Sequence, residues 1–142
     1  VATITTNKLF NNYRNKLGGN GNHALMDYDT DTWAIHLFDT GALALDDTFE
    51  DEADLTSGII ASLAVGTITV GTVGAGVVDA INSTFSSVSG VNCEALVHAL
   101  DNGGVAATSP LLFAILVATG LPVTPTGADI TIVHDGSGII RF

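Results

Sequence analysis

Positive charge is the first thing this chain lacks: it has four Lys and Arg against fifteen Asp and Glu, for a formal net charge of −11. A nucleic-acid backbone and an anionic membrane surface are both held by cations that neutralise phosphate, so neither is expected as a partner. Cysteine is nearly absent as well. Cys93 has no second cysteine to pair with, which excludes an internal disulfide and fits folding in a reducing cytoplasm, with the thiol as a small buried hydrophobe. Charged residues of either sign are scarce, at 13% against 46% hydrophobic. The surface must then be covered by hydroxyls, amides and backbone, which suits close-packed assembly at least as well as free life in solution. Aromatics stand at 6%, thin material for a carbohydrate-stacking platform built on Trp33, Tyr28 or Tyr13. The start of the chain shows no basic-then-apolar order, so no secretory peptide is expected.

Catalytic and metal-binding patterns are missing too. Asp27-Tyr28-Asp29-Thr30-Asp31 opens like a calcium loop. Thr32 stands where that loop requires glycine and Phe38 where a bidentate Glu would close it, so the stretch reads as a polar turn entering a strand. Gly71-Thr72-Val73-Gly74-Ala75-Gly76 has neither of the phosphate-loop spacings. His23, His36, His98 and His134 fall one per segment, without the close spacing of a metal pair. The last three lie in expected strands and read as structural side chains with their hydrogen bonds satisfied. No nucleophile elbow and no Cys/His pairing is present. The expectation is a protein without catalytic residues, cofactor or metal.

What is present is a succession of short β-forming runs. The length of 142 residues fits one domain, able to bury a core without staples. Residues 1–22 read as an N-terminal arm followed by an amphipathic helix over Asn7 to Leu17, capped by Thr5 or Thr6 and stopped at Gly18-Gly19. Leu9, Tyr13 and Leu17 recur along its apolar stripe beside Phe10, and Lys8, Arg14 and Lys16 flank them. Either the stripe packs on the domain's own sheet or it docks on a partner. Residues 23–142 read as a single β domain. Thr32 to Phe38 alternates as a strand, with Trp33 as a core anchor. Seven acids between Asp39 and Asp54 predict a long exposed loop at about 39–56, with one helical turn at most.

Ile59 to Val65, Thr67 to Val70 and Thr84 to Val88 predict further strands, and a membrane helix from Gly58 to Ile81 is disfavoured by its glycines and β-branched residues. Asn92 to Leu100 is a strand ending in the turn Asp101-Asn102-Gly103-Gly104. Leu111 to Ala118 has the length of a strand buried on both faces. Asp129 to His134 and Ile139 to Phe142, separated by Asp135-Gly136-Ser137-Gly138, read as a hairpin. About eight short strands point to an all-β, two-sheet antiparallel sandwich, jelly-roll or immunoglobulin-like, with one short N-terminal helix.

From Thr56 onward the chain resembles a group of small virion structural proteins of tailed bacteriophages and prophages. The resemblance is carried by Val78-Asp79-Ala80, Thr84-Phe85-Ser86-Ser87-Val88-Ser89-Gly90, Glu94-Ala95-Leu96-Val97, Asp101 with Gly103, and Ala107-Thr108-Ser109. It continues through Ala118-Thr119-Gly120-Leu121-Pro122-Val123-Thr124-Pro125, Gly127, Asp129-Ile130-Thr131-Ile132, Asp135 and Ile140-Arg141-Phe142. The first half is similar in plan, with an Asn-Lys-Leu-Phe helix and a Thr30 to Thr40 strand, and departs in the shortened helix and the acidic loop. The resemblance implies a non-enzymatic capsid decoration or cement protein on the outer shell, in the virion after synthesis in the host cytoplasm. Its implied partners are the major capsid protein and further copies of itself, as trimer or dimer. Candidate contacts are Lys8, Leu9, Phe10, Tyr13, Arg14 and Leu17. A tail or head-tail connector component is the alternative, and a host-surface or carbohydrate-binding module comes third.

Overall fold

The computed structural model describes residues 2–17, 31–70 and 77–141. Among them the chain is mostly β, with antiparallel sheets and a single short helix. The strands are β1 (Lys8–Leu9), β2 (Trp33–Phe38), β3 (Ile59–Ala64), β4 (Ile68–Val70), β5 (Val77–Ala80), β6 (Ser83–Phe85), β7 (Ala95–Leu100), β8 (Leu111–Ile115), β9 (Ile130–Ile132) and β10 (Ile140–Arg141). The helix α1 is Asn11–Leu17. A five-stranded sheet runs β1-β8-β7-β2-β3, a three-stranded one β10-β5-β4, and a two-stranded one β6-β9. The calcium-like stretch from Asp27 to Thr30, His23, Gly71 to Gly76 and the boundary at residues 22 and 23 lie outside the described residues.

The centre of the large sheet follows from composition. β2, β7 and β8 are the runs richest in large apolar residues without charge, and every residue of β2 is buried. Alternation sends Trp33, Ile35 and Leu37 to one face, with Leu96 and Phe113, where they share a core with Val78, Ala80 and Phe85 of the two smaller sheets. Trp33 is the anchor expected, fully buried and edge-on to Phe113. The opposite face carries Phe38, Val97, Leu111 and three alanines, Ala95, Ala99 and Ala114. The alanines leave room for Phe10, Leu45 and Leu55 to seat on them, each such side chain contributing about 1.5–3 kcal/mol by burial. A register shift between His98 and Ala99 lets both Leu112 and Phe113 join the first core. Cys93 is a free, buried thiol, and burial raises its pKa.

Three expectations are corrected. The N-terminal helix starts at Asn11 rather than Asn7, because Lys8 and Leu9 pair with Ala114 and Phe113 as β1. The side chain of Asn7 fastens that exchange: its Oδ1 accepts from the backbone N–H groups of Leu116 (2.8 Å) and Val117 (2.7 Å). Covering the edge of β8 outweighs one more turn of a helix too short to be stable by itself.

The expected terminal hairpin does not form. β9 pairs with β6 and β10 pairs with β5, so the Asp135–Gly138 turn passes the chain from one sheet to another. The turn itself is as read, with the Gly138 N–H donating to the Asp135 carbonyl at 2.8 Å. Gly138 takes φ +100 and lies so close to β5 that a Cβ there would come within 2.2 Å of Val77 Cγ1. The Ile139 N–H then donates to the Val78 carbonyl, starting β10 on β5.

The acidic segment is a loop with one 3-10 turn, as expected, but it is not exposed throughout. Leu45 and Leu55 are buried, as are Asp46 and Asp47. Its carboxylates serve as acceptors for local backbone donors: Asp39 for Gly41 and Ala42, Asp46 for Thr48, and Asp51 for Ala53, in a capping box on the 3-10 turn Glu52–Asp54. These acids are tied to local backbone donors, and the segment straps the alanine-bearing face of the sheet.

Candidate functional site

The six residues expected to contact partners are split by the fold. Phe10 and Tyr13 are buried in the chain's own two cores, and Leu9 is half-buried against the first. Lys8 is bound to Asp47 at 2.5 Å, an ion pair that holds the Asp47 carboxyl below its ordinary pKa. Arg14 is exposed and donates to the Asn11 side chain, and Leu17 is 47% exposed. Of the six, only Arg14 and Leu17 present an exposed side chain, at the C-terminal half of α1. Lys16, expected on the flank, is buried, and burial lowers its pKa. Trp33 and Tyr13 are covered and offer no stacking platform, while Tyr28 lies outside the described residues.

An edge that was not singled out from sequence is left without a strand partner among the described residues. β3 ends the five-stranded sheet: it pairs with β2 on one side and, among the described residues, with no strand on the other. Its sequence, Ile59-Ile60-Ala61-Ser62-Leu63-Ala64, holds neither charge nor proline. These are the devices that ordinarily keep an edge from pairing with another chain. At its start, Ile59 and Val91, 40% and 57% exposed, border a concavity of about 330 Å³ with Asp39, Ala42 and Gly90. The run was legible as a strand, but its place at the end of the sheet depends on pairing order, which no local signal carries.

One polar constellation adjoins that edge. His36 on β2 has Nδ1 2.8 Å from Ser62 Oγ and Nε2 2.9 Å from Glu52 Oε1. A hydroxyl, an imidazole and a carboxylate in line are the parts of an activated nucleophile. Here Ser62 sits mid-strand on the sheet face and borders neither that concavity nor the larger cavity beside His98. The arrangement satisfies both nitrogens of a buried imidazole and fixes the Glu52–Asp54 turn to the sheet, as expected of a structural histidine. Among the described residues no three His, Cys, Asp or Glu side chains are grouped to hold a metal, and no helix is long and apolar enough to cross a membrane.

No protein-family model matches the chain, and no curated protein matches it.

Proposed function

We propose that this chain is a non-enzymatic virion structural protein of a tailed bacteriophage, a cement or decoration protein that bridges capsid subunits on the outer surface. The observation that carries the reading is the β3 edge, unpaired among the described residues and uncharged along its whole length, with its own Ile59 and the neighbouring Val91 exposed. Such an edge is completed by another chain. The candidate partners are the major capsid protein and a second or third copy of this chain. With many copies on one shell, a modest interface gains through multivalency. A net charge of −11 suits an exterior station, away from packaged nucleic acid.

The same reading takes the three sheets as a two-layer sandwich. The five-stranded sheet is one layer, and the β10-β5-β4 and β6-β9 sheets together make the other. What supports this is the core shared by Trp33, Ile35 and Leu37 with Val78, Ala80 and Phe85.

Cryo-electron microscopy of the native particle tests the proposal. The expected result is density for this chain outside the capsid lattice at local two-fold or three-fold positions, with β3 against a neighbour. Density only in a ring at the portal vertex or in the tail would refute the cement role and assign the chain to a connector.

A further inference from the structure

A cavity of about 870 Å³ lies against the Trp33 face of the large sheet, within the range of small-molecule sites. Leu37, Leu96 and Ile115 form its floor, and Leu121, Ile130 and Ile132 stand opposite. Two imidazoles are set in these aliphatic walls. His98 is wholly buried, stacked on Phe113 at 4.2 Å, and neither of its ring nitrogens has a hydrogen-bond partner among the described residues, contrary to the satisfied side chain expected. His134 is fixed from behind, its Nδ1 2.9 Å from the Ile81 carbonyl oxygen. A carbonyl only accepts, so Nδ1 carries the proton, and Nε2 is left as a buried acceptor without a partner. Three unpartnered ring nitrogens therefore belong to side chains of one cavity wall. Buried polar atoms left this way are rare, because each forfeits the bonds it had in water.

We propose that this cavity binds a small neutral amphiphile, with an aliphatic or aromatic body against the leucines and isoleucines and one hydroxyl or amide group toward which the two covered imidazoles turn, so that it donates to His134 Nε2 and bonds to His98. Charge argues against an anion, since among the described residues no Lys or Arg lines the cavity and Asp135 does, and walls this aliphatic would strip the water from a cation. Burial also holds His98 far below its ordinary pKa, at about 3, so it offers one donor and one acceptor rather than a cation. A metal ion would lack ligands, since among the described residues no third one joins the two histidines. A strand from a second copy would bring a row of backbone groups into walls that are mostly aliphatic. One polar group on an apolar body matches walls that are mostly aliphatic and hold two imidazoles with covered, unpartnered nitrogens. The inference is independent of the station in the virion.

The test is titration of the full chain with 2-naphthol, following imidazole ¹⁵N resonances, with naphthalene as the probe lacking a hydroxyl. Saturable binding that moves the His98 and His134 resonances is expected, with naphthalene about ten-fold weaker, the worth of one hydrogen bond. His134→Phe should bring 2-naphthol down to the naphthalene value. Should that variant misfold, comparing the two probes on the unmodified chain decides by itself. No saturation at millimolar probe, equal affinity for the two probes, or shifts confined to other residues would overturn the proposal. So would sedimentation showing that these resonances move only on self-association, which would give the cavity to a second copy.

Discussion

His98 makes the fold acid-labile by an amount that can be worked out. Burial is the main cause that lowers its pKa from 6.5 to about 3, and the charges of His134 and His36 act in the same direction. In the unfolded chain the imidazole takes up a proton as the pH falls below about 6.5, while in the folded chain it stays neutral down to about 3. The unfolded state therefore binds more protons throughout that window, and stability declines as pH falls. The contribution is fully present above pH 6.5 and gone near pH 3. Between pH 7 and pH 5 the loss comes to about 2 kcal/mol, from roughly 1.5 pH units at 1.36 kcal/mol each. The perturbation is His98→Leu, which keeps the apolar volume and leaves every other titrating group in place. Urea unfolding at pH 7, 6 and 5 should show the parent chain losing about 2 kcal/mol more than the variant. At pH 7 the two should lie within roughly 2 kcal/mol, because losing the Phe113 stack offsets the removal of unpaired nitrogens. Parallel pH dependences for the two proteins would refute the reasoning, since the imidazole would then be solvated or charged in the folded state.

Other consequences of the fold are as direct. Phe10→Ala should cost roughly 3–5 kcal/mol in urea unfolding, because the ring is fully buried; a loss near zero would place Phe10 on the surface instead. Gly58→Ala should cost roughly 1–3 kcal/mol by overpacking, since its new Cβ would come 2.3 Å from the Phe38 ring. Glu52→Ala leaves His36 Nε2 buried without a partner, so about 1–3 kcal/mol should be lost and hydrogen exchange over residues 43–55 should quicken, with Glu52→Gln restoring much of the protection. Ala64→Lys puts a charge on the exposed end of β3. It should leave the urea midpoint nearly unchanged while lowering self-association in sedimentation velocity, and an unchanged association constant would remove that edge from the interface.

The parts of the fold that were legible in the sequence are those whose composition decides their environment. β2, β7 and β8 are apolar on both faces because both faces of the large sheet are covered, and that is why their runs read as strands, with Leu111 to Ala118 read as one buried on both faces although only Leu111–Ile115 is strand and Val117 is 66% exposed. The misread parts are those decided by contacts distant in sequence. Asp135-Gly136-Ser137-Gly138 is a true turn, but a turn fixes only the reversal and not the strand that each arm meets. The acidic segment looked too repulsive to pack because charge density is visible in a sequence, whereas the backbone donors that each carboxylate caps are not. The amphipathic stripe of α1 could serve the chain's own core or a partner, and Phe10 and Tyr13 are taken by the core.

The two central histidines carry the same lesson to the candidate sites. His36 pairs across the sheet with Val97, and His98 with Ile35, so they stand on adjoining strands one residue out of phase. Local sequence treats them alike, as single histidines in apolar strands. Their surroundings differ because alternation places them on opposite faces. One face is strapped by a segment rich in carboxylates, which brings Glu52 to 2.9 Å from His36. The other is closed by aliphatic side chains of β9 and the loops around it, and among the described residues none bonds to His98. A leucine at position 98 would fill the space without that cost but would forgo the stack on Phe113, so the two side chains nearly balance in the fold itself, and a ligand bonded to the imidazole would tip the balance toward histidine.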